Sequence, residues 1–254
     1  MSEESPKKIC ISMSVLAVFA VIVCCFIFQG ENELIGAVMG ESAEKPIYAV
    51  ATTENKIAFS FDATWGAEHT EEILNILDKY KVKTTFFLVN IWLDEYPEMA
   101  KKIHERGHEI QLHSASHPYF TNISTAAMEG ELKENNAKIK ELIGMEGTLF
   151  RPPFGDYNND VLATAHSLRL EVIQWSVDSL DWENIAANEI YNRVNDQVTK
   201  GSIVLFHNNG LHTAEALETL IPQLQSKGFE IVPVSDLIYK ENYTVDNNGI
   251  QKQK

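Results

Sequence analysis

The sequence predicts an α/β fold, a barrel of about seven parallel strands with crossover helices, preceded by one membrane-spanning helix. Three observations predict it. From Lys56 onward, short β-branched and apolar runs alternate with amphipathic stretches at helical spacing. Five reactive residues, Asp62, His113, Arg151, Asp178 and His207, each stand at or just past the end of a predicted strand. No internal repeat accounts for the alternation. In a βα barrel the C-terminal strand ends build the active site, so the five side chains would converge at one mouth.

The elements follow in order. Residues 57–62 form a compact apolar strand ending in a carboxylate, and 70–81 carry Ile73, Leu74, Ile76 and Leu77 at helical spacing. Residues 84–89 are β-branched and aromatic and read as a strand. A helix over 96–106 meets Gly107, which is placed to end it. A strand at 109–113 precedes a long polar helix over 125–143. Further strands are expected at 148–152, 171–178, 202–207 and 230–234, with helices at 160–168, 188–198 and 213–226.

Ahead of this domain, Lys7 and Lys8 precede an apolar run from Ile9 to Phe28. Its length of about 20 residues matches the roughly 30 Å hydrocarbon core of a bilayer. A cleavable signal has a shorter core followed by small residues, which the sequence lacks here, so the run reads as an uncleaved anchor. The lysines place its start in the cytoplasm and the remainder outside. Residues 1–29 are then a cytoplasmic tip and anchor, 30–55 a stalk in which Pro46 discourages helix, 56–240 the main domain and 241–254 a flexible tail. The expected location is the cell membrane, single-pass, with the domain extracytoplasmic.

Charge narrows the partners. A formal net charge of -15 over 254 residues excludes nucleic acid, whose phosphates need Lys and Arg, and disfavours docking on an anionic membrane surface. The three cysteines, Cys10, Cys24 and Cys25, all lie in the apolar run. The domain therefore has neither disulfides nor a thiolate metal site, and any metal rests on His and carboxylate.

Five segments carry chemistry. His113 and His117 are four apart, a spacing that on a helical turn would let both imidazoles grip one cation. Asp62 closes an apolar strand about seven residues before the next helix, too far to cap it, and reads as a base. Arg151-Pro152-Pro153-Phe154-Gly155 joins a cation to a stiff turn. Asp178 and Asp181 stand beside Trp182, whose indole could wall a sugar or acetyl group. Leu205-Phe206-His207 ends a strand in a histidine able to act as a general acid.

In this order and spacing the segments resemble the five motifs of the polysaccharide deacetylases, also called the NodB-homology or family 4 carbohydrate esterases. Those motifs read T-F-D-D-G, H-[ST]-x-x-H, R-x-P-x-[GY], D-x-x-D-W and L-x-H. The last four are intact, and the resemblance runs from about Lys56 to Ile238. The first departs: Ser60-Phe61-Asp62-Ala63-Thr64-Trp65-Gly66 keeps Asp62 but has Ala63 where the family has the Asp that supplies its third metal ligand. This form resembles the sporulation-associated subgroup.

The resemblance implies a deformed (β/α) barrel and a metal-dependent hydrolase that removes N-acetyl groups from a cell-wall polysaccharide, peptidoglycan first among them. It implies a divalent metal, zinc for preference, on His113 and His117. Asp62 would serve as base and His207 as acid, with Arg151 pairing Asp62 and either Asp178 or Asp181 supporting the imidazolium. Phe154, Trp182 and Leu205 would contact the substrate. Ala63 removes a ligand, which water, Asp62, Glu68 or His69 could replace. The competing expectation is a metal-poor glycan-binding relative without turnover.

Overall fold

A computed structural model describes residues 44–254. The expected anchor and the first part of the expected stalk lie outside the described residues. Among the described residues no helix is long and apolar enough to cross a membrane.

Seven parallel strands form the central sheet: β2 (Lys56–Ala63), β3 (Thr85–Leu88), β4 (Glu109–Leu112), β5 (Leu149–Phe150), β6 (Glu171–Val172), β7 (Val177–Asp178) and β8 (Ile203–His207). They run β6-β5-β4-β3-β2-β8-β7 across the sheet. An eighth strand, β9 (Glu230–Val232), pairs with the start of β2. The expected single strand over 171–178 is two. Ile173 N–H donates to Phe150 O on one edge, and Ser176 N–H donates to Ile203 O on the other. The chain thus crosses from one edge strand to the other within three residues, which gives the open, deformed barrel. A continuous apolar run cannot reveal that its two ends face different neighbours.

Helices α1 (Thr70–Lys79), α2 (Asn90–Glu95), α3 (Pro97–Glu105), α4 (Thr125–Ile143), α5 (Asn159–Ser167), α6 (Ala187–Gln197), α7 (Thr213–Ser226) and α8 (Val234–Leu237) connect the strands. Ser124 caps α4 by accepting from Ala127 N–H, and Gly144 ends it at φ 76°. Neither α2 nor α8 was expected, because six and four residues are too few to show a helical period.

β2 sets the two layers of the core, since successive strand side chains point to opposite faces. Phe59, Phe61 and Ala63 join the large apolar cluster under the helices, with Ile73, Leu132 and Leu217. Phe61 stacks between Phe86 and Phe206 at centroid distances of 4.9 and 5.5 Å. Ala58 belongs to a second, inner cluster with Phe87, Leu149 and Ile203. Ser60 and Asp62 share that inner face and are buried, so they require polar partners there.

The chain termini of the described region depart from expectation. Residues expected in a stalk include β1 (Ala49–Val50), and those expected as a flexible tail form β10 (Tyr243–Val245) and β11 (Ile250–Gln253). These three make a second sheet, β1-β11-β10. Ile47 and Val50 are buried in the inner cluster. Val50 N–H donates to Gly201 O at 2.9 Å, and a Cβ on Gly201 would lie 1.7 Å from Val50 O. Only glycine permits this approach. In the polar C-terminal stretch, Gln251 is fully buried and its amide bonds both N–H and C=O of Tyr239. Polar composition concealed that burial.

Candidate active site

The C-terminal ends of the strands open into a cleft of about 780 Å³. Asp62, His113, His117, Phe154, Asp178, Trp182, Leu205 and His207 all line it. Arg151 and Asp181 lie behind that wall, both fully buried.

Asp62 and His207 are register partners on β2 and β8, so two neighbouring strands present a carboxylate and an imidazole side by side. Arg151 holds Asp62. Its Nη1 donates to Asp62 Oδ1 at 2.8 Å, and its Nη2 donates to Ser60 Oγ at 2.9 Å and Gln174 O at 3.1 Å. The guanidinium packs 4.2 Å from the Phe87 ring centroid. Burial works to raise the Asp62 carboxyl, but the charge of Arg151, with His113 and His207, outweighs it and holds Asp62 below the usual carboxylate range. Asp62 is therefore ionised at neutral pH.

His207 has its own support, and the structure decides between the two candidate carboxylates. Asp181 Oδ1 accepts from His207 Nδ1 at 2.8 Å, while its Oδ2 accepts from His207 N–H at 2.8 Å and Thr213 Oγ1 at 2.7 Å. Asp178 instead accepts the Leu180 N–H through Oδ1 and shapes the turn. Burial would lower the His207 imidazolium, but Asp181, and the charges of Asp62 and Asp178, raise it above the ordinary histidine value. The bond to Asp181 fixes the proton on Nδ1 and leaves Nε2 for chemistry.

The imidazole pair is built differently from expectation. His113 and His117 lie on a bend after β4 and not on a helical turn; Ser114 and His117 take left-handed backbone at φ 78° and 58°. Their rings meet edge-to-face at 5.0 Å. His113 Nδ1 donates to Arg151 O at 2.8 Å, so its Nε2 carries the lone pair. Burial pushes His113 down and His117 down to about 3; both are neutral. Two residues of α4 that the sequence reading passed over hold this bend. Asn135 Oδ1 accepts from His113 N–H, and Glu131 accepts from Ala115 and Ser116 N–H at 2.9 and 2.7 Å. They stand one helical turn apart on one face. That spacing was visible, but nothing in a polar helix marked which face turns inward.

These donors do not fit a site with three protein ligands. Two neutral imidazoles are available. Asp62 Oδ2 lies 3.6 Å from His113 Nε2, but the carboxylate is committed to Arg151. Ala63 is fully buried with the outer-layer cluster, on the strand face opposite Asp62. Glu68 and His69 do not line the cleft. Among the described residues no group of three His, Cys, Asp or Glu is arranged to hold a metal.

The polysaccharide deacetylase family profile matches residues 49–173. A peptidoglycan-N-acetylglucosamine deacetylase of Bacillus cereus is 32% identical over 196 residues, covering 75% of this chain and 92% of that protein. The chain belongs to the polysaccharide deacetylase family. It is also similar to Bacillus subtilis YlxY, at 34% identity over 194 residues, 76% of this chain and 60% of that protein. The chain thus spans 60% of the length of YlxY. A family 4 carbohydrate esterase pseudoenzyme from Bacillus anthracis superposes with a TM-score of 0.74 at 29% identity, covering 84% of this chain and 71% of that one. A mutant of that pseudoenzyme with restored enzymatic activity superposes equally well.

Proposed function

We propose that this chain is a polysaccharide N-deacetylase that acts on peptidoglycan outside the membrane, tethered through residues 9–28. One observation carries the reading: Asp62 and His207 face one cleft as register partners, each backed by its own buried counter-charge. A glycan binder has no use for such a pair.

The chemistry follows from the protonation states. Asp62, kept ionised by Arg151, removes a proton from water as the oxygen attacks the acetamide carbonyl. His207, protonated and held by Asp181, gives its Nε2 proton to the departing nitrogen as the C–N bond breaks. Acetate and a free amino sugar result. Leu205, Phe154 and Trp182 line the cleft beside these groups and take the acetyl group and the sugar. The acidic surface suits a neutral or cationic glycan, and the S-F-D-x-x-W-G form of the first motif supports a role in spore formation.

Ala63 favours a second reading, a glycan-binding relative with little turnover, in keeping with the similarity to the Bacillus anthracis pseudoenzyme. Two imidazoles alone predict weak retention of zinc. The test is acetate release from N-acetylated peptidoglycan by the purified full chain, with and without added divalent zinc. Release that disappears in Asp62→Asn and His207→Ala supports the deacetylase. No release under any metal condition, with glycan binding intact, establishes the second reading.

A further inference from the structure

Asparagine is followed by glycine twice in the sequence, at 209–210 and 248–249. A glycine has no side chain to shield its nitrogen, so that nitrogen can reach the side-chain amide carbon of the asparagine before it. This is one reason asparagine is a thermolabile residue. Whether the contact forms depends on what the nitrogen and the amide are tied to, and the fold ties the two sites differently.

In the turn between β10 and β11, Gly249 N–H donates to Asp246 O at 2.9 Å. Asn248 N–H and Ile250 N–H donate to Asp246 Oδ1 at 2.9 and 3.0 Å, and Lys252 holds the same carboxylate at 2.8 Å. The nitrogen is occupied and the turn is pinned. Asn209 sits in the turn after β8, exposed and lining the cleft. Among the described residues, neither its side-chain amide nor Gly210 N–H has a hydrogen-bond partner. Leu211, the next residue, is 55% exposed, so the turn stands out from the surface. Glycine is required at 210 because a Cβ there would collide with Thr213 Oγ1 and lie 3.1 Å from Asp181 Oδ2. Packing against the carboxylate that carries His207 thus forces a reactive dipeptide into the wall of the cleft.

We propose that Asn209-Gly210 is a self-modifying site of the cleft. Gly210 nitrogen attacks Asn209 Cγ. As the new C–N bond forms, the nitrogen gives up its proton and the side-chain amide leaves as ammonia. Water then opens the resulting cyclic imide at either carbonyl. Cleavage between Cγ and the Gly210 nitrogen leaves aspartate; cleavage at the main-chain carbonyl leaves isoaspartate, whose backbone runs through the extra methylene. Water is the only co-reactant. Both products place a new carboxylate in the cleft. Isoaspartate also lengthens the chain between His207 and Gly210, where contact with Thr213 and Asp181 leaves no room for it. The Asp181–His207 pair is then disturbed in aged protein. This inference stands whether or not the cleft turns over a substrate.

The test is to age the full chain in detergent at mildly alkaline pH, digest it at acidic pH and map it by mass spectrometry with fragmentation that distinguishes isoaspartate. In folded protein Asn209 converts at least about tenfold faster than Asn248, because conversion at 248 waits on local opening of its turn. In chain unfolded by denaturant the two convert at similar rates. The His207 imidazole NMR signals shift in aged wild type in step with the converted fraction, and aged Asn209→Gln shows no such shift. Equal conversion at both sites in folded protein, or conversion at neither, overturns the site. A rate difference that persists in denaturant assigns the selectivity to the flanking sequence and overturns the structural account. Conversion at Asn209 with unmoved His207 signals overturns the effect on the cleft.

Discussion

Replacing Arg151 with methionine removes the charge that balances Asp62 while keeping most of the buried volume. Ser60 Oγ still donates to Val204 O at 2.8 Å, so the main loss is the partner of a carboxylate that is only 6% exposed. Breaking a buried pair from one side costs about 3–5 kcal/mol, because the remaining charge has no compensation. A domain of this size loses roughly 2–4 °C per kcal/mol, so the thermal midpoint at pH 7 should fall by about 6–20 °C. The pH dependence supplies a second check. In wild type Asp62 is held below its ordinary value, so its contribution is present above about pH 3.9 and is lost as pH falls through the folded value. Without Arg151, burial raises the carboxyl, and Asp62 becomes protonated as pH falls toward the ordinary carboxylate range. The gap between variant and wild type should therefore narrow between pH 7 and about pH 4. The double variant Asp62→Asn/Arg151→Met, which has no unpaired charge, should recover part of the loss. Thermal unfolding followed by circular dichroism at several pH values measures all three. A cost under about 1 kcal/mol at pH 7, or a gap that stays constant with pH, would refute the assignment of a buried, mutually dependent pair.

Three further outcomes are expected. Asp181→Asn removes the charge that raises His207, so the imidazole titration followed by NMR should move to lower pH; an unchanged midpoint would assign the raising to other groups. In wild type the stability contributed by His207 is complete below about pH 6.5 and is lost as pH rises through its folded value, a loss the variant should no longer show. Asn135→Ala removes bonds to His113 N–H, Leu88 O and Asn90 Oδ1, costing roughly 2–4 kcal/mol; denaturant unfolding with a cost below about 0.5 kcal/mol would mean the bend holds itself. Ala63→Asp places a carboxylate among apolar neighbours on the face turned away from the imidazole pair, so it should destabilise the protein, and zinc should raise its melting temperature no more than that of wild type. A larger zinc response in the variant would mean that residue 63 does reach the imidazole pair.

The placement of strands was legible because parallel strands buried on both faces leave unmistakable apolar runs, as at Phe59, Phe61 and Phe86–Val89. The helices over 125–143 and 213–226 carried enough turns to be bounded to the residue. Elements of two to six residues, such as β1 and α2, gave no period. The cleft residues were findable because polar groups at the ends of apolar strands break a pattern. Glu131, Asn135 and Thr213 were not, since on helices such residues look like ordinary surface.

By itself the sequence determined which side chains can react and in what order they occur, because strand periodicity and turn chemistry are local. The Arg151–Asp62 pair was already expected from the resemblance; tertiary structure alone decided that Asp181 and not Asp178 carries His207, and that Ala63 faces away into the outer core. Those outcomes depend on which buried group finds a partner within hydrogen-bonding distance. That distance is set by how β2, β5, β7 and β8 sit beside one another, a relation between residues up to about 145 positions apart that no local pattern encodes.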